Sequence, residues 1–172
     1  MKISVIGYSV SGKSTFSEKI SKHFKVPLLH IDKVYFSENM KINDKDETIK
    51  KIQDFMKQKK WLIDGTYRKI VTERYDKATK IFIFDFNRLK CFYGYIIRYF
   101  KYKNKGQRPS MADGNPEKFD FGFAKWILWD GRKKDSKRLF RNIEKKYEDK
   151  VIVFKNRKEV NNYLKQLAID KT

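Results

Sequence analysis

The sequence predicts a three-layer α/β domain built on a parallel five-stranded sheet. Three observations carry that expectation. Five short β-rich runs alternate with segments of helical period. The stretch "GYSVSGKS", Gly7 to Ser14, falls between the first run and the first helical stripe. The fourth run, "KIFIFDF", is almost unbroken apolar sequence, which suits a strand buried on both faces.

The elements follow in order. Ile3 to Ile6 is a short β-rich run. Thr15 to Phe24 carries Phe16, Ile20 and Phe24 four apart, a helical stripe. "VPLLHID" reads as a second strand opened by Pro27, with Asp32 at its end. Lys45 to Lys60 reads as a helix with Ile49, Ile52, Phe55 and Met56 on one face. "WLIDG" is a third strand and "KIFIFDF" the fourth. Leu89 to Tyr102 reads as an aromatic-rich helix, and "KNKGQRPSMADGNPE" as a loop. Glu117 to Trp129 and Ser136 to Tyr147 read as helices. "VIVF" is a fifth strand, and Glu159 to Ile169 a closing helix. A single domain over residues 1–172 is expected, with a lid or insert at about 98–131.

In such sheets ligands bind beyond the carboxyl ends of the strands. The polar residues there are Gly7, Asp32, Asp64 and Asp85. The first strand end leads into G-x-x-x-x-G-K-S, in the strand-to-helix context a phosphate loop requires. Gly7 and Gly12 permit the turns, and the backbone around Ser11 can wrap the β- and γ-phosphates of a nucleotide such as ATP. Lys13 supplies a point charge, the Ser14 hydroxyl can bind Mg²⁺, and Thr15 opens the helix whose positive end faces the anion.

"WLIDGTYR" places the Asp64 carboxylate where it can hold Mg²⁺, directly or through water. Arg68 can fork onto a phosphate or carboxylate of a second substrate. Asp32 can accept a hydrogen bond from a substrate hydroxyl or act as its general base. Asp85 reads as a Mg²⁺ ligand or a structural anchor. From Asn87 to Ala112 there are seven basic residues, Arg98 and Arg108 among them, and no acidic one. Tyr and Phe residues interleave with them. The pattern suits a lid that closes arginines onto transferring phosphates, and equally a track for single-stranded nucleic acid. Arg132 and Arg138 are weaker candidates for a nucleotide contact. Trp126 and Trp129, three apart on one helical face, read as core packing or a lid hinge.

Composition narrows the classes. The formal charge of +20, from 41 basic and 21 acidic residues, attracts anions: nucleic acid, a membrane surface or phosphorylated small molecules. A chain rich in Lys, Ile, Asn, Phe and Tyr also follows from an AT-rich genome. The lone Cys91 excludes an internal disulfide, and with only His23 and His30 there is no Cys/His zinc set. Metal chemistry is therefore expected through oxygens, with Mg²⁺. No run approaches the roughly 20 apolar residues of a membrane span, and the start is too short for a signal peptide. A soluble, cytoplasmic protein without a membrane partner is expected.

Taken together, "GYSVSGKST", "HIDKVYF", "WLIDGTYR", "IFIFDFNR" and "GQRPSM" resemble the DNA topology modulation protein family, small bacterial P-loop proteins with an adenylate-kinase-like fold. The resemblance runs from Lys2 to about Leu164. It implies a P-loop NTPase fold with strand order 2-3-1-4-5 and a helical lid. "DGTYR" is similar to the D-G-x-P-R stretch of nucleoside monophosphate kinases, in which the aspartate helps hold Mg²⁺ and the arginine binds the acceptor phosphate. By that likeness Asp64 and Arg68 take those roles, with Tyr67 where proline is usual. Those kinases carry two arginines four apart at the lid; this chain offers Arg98, with Gly94 and Tyr102 four away. Asp32 and Tyr35 replace the stretch that meets AMP. Asp32 is similar to the aspartate of small-molecule kinases whose acceptor is a hydroxyl. The expectation is ATP·Mg²⁺-dependent phosphoryl transfer to a nucleotide or a small hydroxyl- or phosphate-bearing acceptor. The alternative is a nucleotide-gated nucleic-acid binder with little acceptor phosphorylation.

Overall fold

The computed structural model describes residues 1–103 and 110–169. β1 (Lys2–Gly7) runs through the middle of a parallel sheet, between β3 (Trp61–Asp64) and β4 (Lys80–Phe84). β2 (Leu28–His30) lies outside β3, and β5 (Val151–Phe154) outside β4. The order is β2-β3-β1-β4-β5. The apolar run of β4 behaves as its sequence demands. Ile81, Phe82, Ile83 and Phe84 are at most 1% exposed, so both faces of the strand are covered.

α1 (Lys13–Phe24) presses Phe16 and Ile20 onto the sheet. The Phe16 ring meets Phe82 edge-on at 4.9 Å and Phe84 at 5.3 Å, and Phe154 and Tyr163 complete the cluster. α2 (Ile31–Tyr35) follows β2 directly. α3 (Lys45–Met56) is capped by Asp44, which accepts from the Glu47 amide at 2.8 Å, and it buries Thr48, Ile52 and Met56. α4 (Glu73–Lys77) precedes β4, and α5 (Arg88–Tyr102) follows it. α6 (Phe121–Leu128), α7 (Lys134–Lys146) and α8 (Arg157–Gln166) complete the chain.

Several expected boundaries move, each for a visible reason. The second strand ends at His30, not at Asp32, because the chain turns straight into α2. Asp32 therefore sits in the first turn of a short helix rather than at a strand end. The helix expected over Lys45–Lys60 stops at Met56, where Lys57 turns back onto the Asp54 carbonyl at 3.2 Å. The helix expected from Glu117 starts at Phe121. Asp120 caps it, accepting from the Phe123 amide at 3.0 Å, and its own amide donates to the Tyr95 hydroxyl at 2.7 Å. Trp126 and Trp129 are 41% and 59% exposed, so neither is core. Trp126 instead stacks on Phe123 at 5.9 Å. Among the described residues no helix is long and apolar enough to cross a membrane.

Candidate functional site

The segment from Gly7 to Lys13 is a sharp connection between a central strand and a helix. Gly7 has φ +145°, and a side chain there would run into the backbone of Phe84 on β4. Gly12 caps α1 in the left-handed region at φ +90°. The loop is braced from within. Tyr8 O accepts from the Ser11 hydroxyl at 2.7 Å and from Lys13 Nζ at 2.8 Å. Ser11 is therefore buried and turned inward; its side chain supports the loop rather than facing the cavity. Ser14 is half-buried and Thr15 exposed.

A second segment is tied to the first. The Thr66 hydroxyl accepts from the Gly7 amide and donates to the Gly7 carbonyl, both at 2.8 Å. Residues 65–71 are held in turn by Arg74, which is 0% exposed. Its guanidinium donates to Ile70 O at 2.7 Å, Gly65 O at 3.1 Å and the Tyr75 hydroxyl at 2.7 Å. Burial lowers the Arg74 pKa, and the neighbouring Tyr75 opposes that shift. Thr66→Val should leave both polar groups of Gly7 without their partner. We expect a loss of about 1–3 kcal/mol in unfolding free energy, read by urea denaturation.

The two segments open onto one cavity of about 940 Å³ beyond the carboxyl ends of β1 and β3. Lys13, Ser14 and Thr15 line it from the loop, and Asp64 and Arg68 from the second segment. Asp64 is 4% exposed. Its Oδ2 meets His30 Nδ1 at 2.9 Å across the β2–β3 register, while its buried Oδ1 has no hydrogen-bond partner among the described residues. His30 also lies 3.9 Å from Glu18. Among the described residues no group of three or more His, Cys, Asp and Glu side chains could hold a metal by itself. A hydroxyl and an orphaned carboxylate oxygen on one cavity do fit Mg²⁺ brought in by a nucleotide, since that ion keeps waters and binds through one or two protein oxygens plus phosphates.

Opposite the loop, Tyr67 donates to Asp32 Oδ1 at 2.7 Å, and the Tyr67 ring packs 4.6 Å from Tyr35. The half-buried Asp32 thus lines the same cavity from α2, oriented by the residue that stands where the resembled kinases carry proline. Arg68 is 45% exposed at the cavity mouth, 3.9 Å from Asp135. Asp135 is itself bound at 2.7 Å by Arg138 on α7, so Arg138 is engaged at the surface. Asp85 is anchored by Lys155 at 2.6 Å and does not line the cavity, which makes it a structural anchor.

The arginines expected at the lid divide. Arg98 lines the cavity, but its Nε and Nη2 both lie 2.7 Å from Glu117 Oε1, with the Tyr95 and Phe123 rings beside it at 5.3 and 5.4 Å. The structure therefore holds it on a carboxylate. Arg108 lies outside the described residues. Arg132 turns inward: it donates to Ile127 O at 3.0 Å and Phe86 O at 2.7 Å, and its guanidinium covers the Tyr8 ring at 3.8 Å. Burial pushes the Cys91 thiol up against the pull of Arg132, Lys13 and Arg157. Those cations meet the loop at the Tyr8 ring, the Tyr8 carbonyl and Gly12 respectively. Sequence reasoning missed His30 as the partner of Asp64, Thr66 as the clamp on Gly7, and Arg157 beside Gly12. Only Thr66 carried a signal, its place inside "DGTYR". No protein-family model matches the chain, and no curated protein matches its sequence.

Proposed function

We propose that the protein transfers a phosphoryl group from ATP·Mg²⁺ to a small acceptor bearing a hydroxyl or phosphate, nucleotides included. One observation carries the reading. The strand–loop–helix with Lys13 and Ser14, the buried Asp64 with an orphaned oxygen, and the acceptor-side pair Asp32 and Arg68 all face one cavity. In this reading the fold is nucleoside-monophosphate-kinase-like, with its lid at about residues 98–131.

Mg²⁺, held by Ser14 and, directly or through water, by Asp64, would neutralise charge on the β- and γ-phosphates. Lys13 exchanges the Tyr8 carbonyl for phosphate oxygens. The backbone amides before α1 cradle the phosphates, and the helix end adds its partial charge. Arg68, loosely paired at the mouth, is placed to take an anionic group of the acceptor. Asp32, fixed by Tyr67, is placed to take the proton of an acceptor hydroxyl. Positioning and charge stabilisation supply most of the catalysis.

The test is transfer from γ-labelled ATP to a pooled panel of nucleosides, nucleoside monophosphates, small hydroxyl metabolites and 5′-hydroxyl oligonucleotides. Label on one acceptor supports the reading and names its class. Bound ATP with no labelled acceptor favours a second reading, the nucleotide-gated nucleic-acid binder. The observation behind that one is the exposed rings of Tyr93, Phe100, Phe121 and Trp129, interspersed with lysines. Asp64→Asn should raise the Mg²⁺ concentration for half-maximal transfer by about tenfold or more, as a neutral amide holds a hard cation poorly. An unchanged Mg²⁺ dependence would remove Asp64 from the metal site.

A further inference from the structure

Resting on the nucleotide reading of the cavity, we propose that His30 is a positioning residue for the metal carboxylate: its imidazole holds one oxygen of Asp64 so that the other is presented to the Mg²⁺ of the bound nucleotide.

The sheet builds the pair. His30 is the last residue of β2 and Asp64 the last of β3, and the two stand opposite one another in the parallel register. On its other side Asp64 is in register with Val5 of β1, whose side chain has no donor. The carboxylate therefore has one lateral neighbour able to donate, and His30 Nδ1 meets Oδ2 at 2.9 Å. An ionised carboxylate only accepts, so the shared hydrogen sits on Nδ1. The residues that follow fix both ends. Ile31 is 0% exposed and lies against Gly65, where an added Cβ would come within 2.9 Å of it. The Gly65 amide donates to Val5 O at 3.0 Å, and Gly65 O accepts from the buried Arg74 at 3.1 Å. Neither member of the pair can shift without repacking its surroundings.

The pairing occupies one carboxylate oxygen and leaves the other. Asp64 lines the main cavity, and its buried Oδ1 has no hydrogen-bond partner among the described residues. A buried carboxylate satisfied on one side only is costly unless a ligand completes it, and a hard cation does so. His30 stands behind that carboxylate. It is 8% exposed and does not line the cavity, so it can act on the metal only through Asp64. Its far nitrogen, Nε2, is 3.9 Å from Oε1 of the half-buried Glu18, beyond hydrogen-bond reach. The one side-chain hydrogen bond of the ring among the described residues is the bond to Asp64. Outer partners of this kind orient a metal ligand, and their loss lowers metal affinity by about 10–100-fold.

The experiment measures binding of a non-hydrolysable ATP analogue by calorimetry, with saturating Mg²⁺ and with EDTA. It compares the wild-type chain, His30→Leu, His30→Gln and His30→Asn. The amide nitrogen of His30→Asn sits where Nδ1 sits and can donate to Oδ2; that of His30→Gln is carried one bond further, toward the place of Nε2. We expect most of the Mg²⁺-dependent gain, about tenfold in affinity, to be lost in His30→Leu and His30→Gln, with binding in EDTA changed by less than about twofold. His30→Asn should keep the gain. Installed on Asp64→Asn, His30→Leu should lose nothing further, because it acts through that carboxylate. An unchanged gain in His30→Leu and His30→Gln, equal losses with and without Mg²⁺, His30→Asn failing as His30→Leu does, or a further loss on Asp64→Asn would each overturn the proposal. Wild type binding the analogue equally with and without Mg²⁺ would overturn it too, with the nucleotide reading intact. Wild type binding no analogue in either condition would instead sink the nucleotide reading, and this proposal with it. Melting curves check the folds; should His30→Leu fail to fold, the contrast between His30→Gln and His30→Asn, two amides differing in reach, carries the test.

Discussion

On the proposed reading, replacing Lys13 by alanine is expected to abolish phosphate transfer while leaving the fold in place. The two halves of that statement rest on different contacts. The Lys13 ammonium is half-buried and donates to Tyr8 O at 2.8 Å. The Ser11 hydroxyl donates to the same carbonyl at 2.7 Å, so Tyr8 O keeps a partner when the lysine is gone. The stability cost is therefore about 1 kcal/mol, a shift of a few degrees in Tm. The catalytic cost is of another order. On the proposed reading, charge would build on the phosphates beside the half-buried Lys13, where a positioned cation is worth more than at the surface. A loss of about a thousandfold or more, about 4 kcal/mol of barrier, is expected. Parallel measurement of labelled transfer and of thermal melting by circular dichroism separates the two. Full activity in the variant would place the active site elsewhere. Lost activity with a collapsed melting curve would show the loop to be a folding element first.

The strand–loop–helix was readable because its pattern is local. Two glycines, a lysine and a serine in fixed spacing lie between an apolar run and a helical stripe, and the chain builds β1 to Gly7 and α1 from Lys13. The burial of β4 was readable for the same reason, since an unbroken apolar run leaves a strand no solvent face. Asp64 could be singled out as a carboxylate ending a strand. Its partner could not. His30 lies 34 residues away and meets Asp64 only because β2 and β3 pair in one register, which no local pattern specifies. The Thr66 clamp on Gly7 spans 59 residues, and the Glu117 grip on Arg98 spans 19. Asp32 was read as a strand end because an isoleucine beside it extends an apolar run. The structure spends that isoleucine on the core, 0% exposed, as the first residue of α2. Sequence shows which groups are chemically able; the packing decides which of them meet.

Arg74 is the strongest case of that gap, and its removal should destabilise the protein more than the loss of either Lys13 or Thr66. In sequence it is one cation in "VTERYDK", indistinguishable from a solvated helix face. In the structure it is 0% exposed, with no carboxylate beside it among the described residues. Its charge is balanced by the carbonyls of Ile70 and Gly65, with those of Val71 and Tyr67 at 3.5 Å, and by the Tyr75 hydroxyl. Alanine would empty that volume and leave buried oxygens without donors. Breaking a buried charged network in this way costs about 3–5 kcal/mol. For a chain of this size that lowers Tm by roughly 10 °C. Lysine restores a charge but no fork, and cannot reach Ile70 O and Gly65 O together, so it should recover little. Methionine refills the volume without donors; a smaller loss than with alanine would assign the difference to the cavity and the remainder to the orphaned oxygens. Because residues 65–71 also carry Thr66, Tyr67 and Arg68, transfer should fall even at temperatures where Arg74→Ala remains folded. The check is thermal melting of the three variants beside labelled transfer at low temperature. A variant melting within about 2 °C of the parent would mean that the segment is held by the Thr66 clamp instead, and Thr66→Val would then give the larger loss.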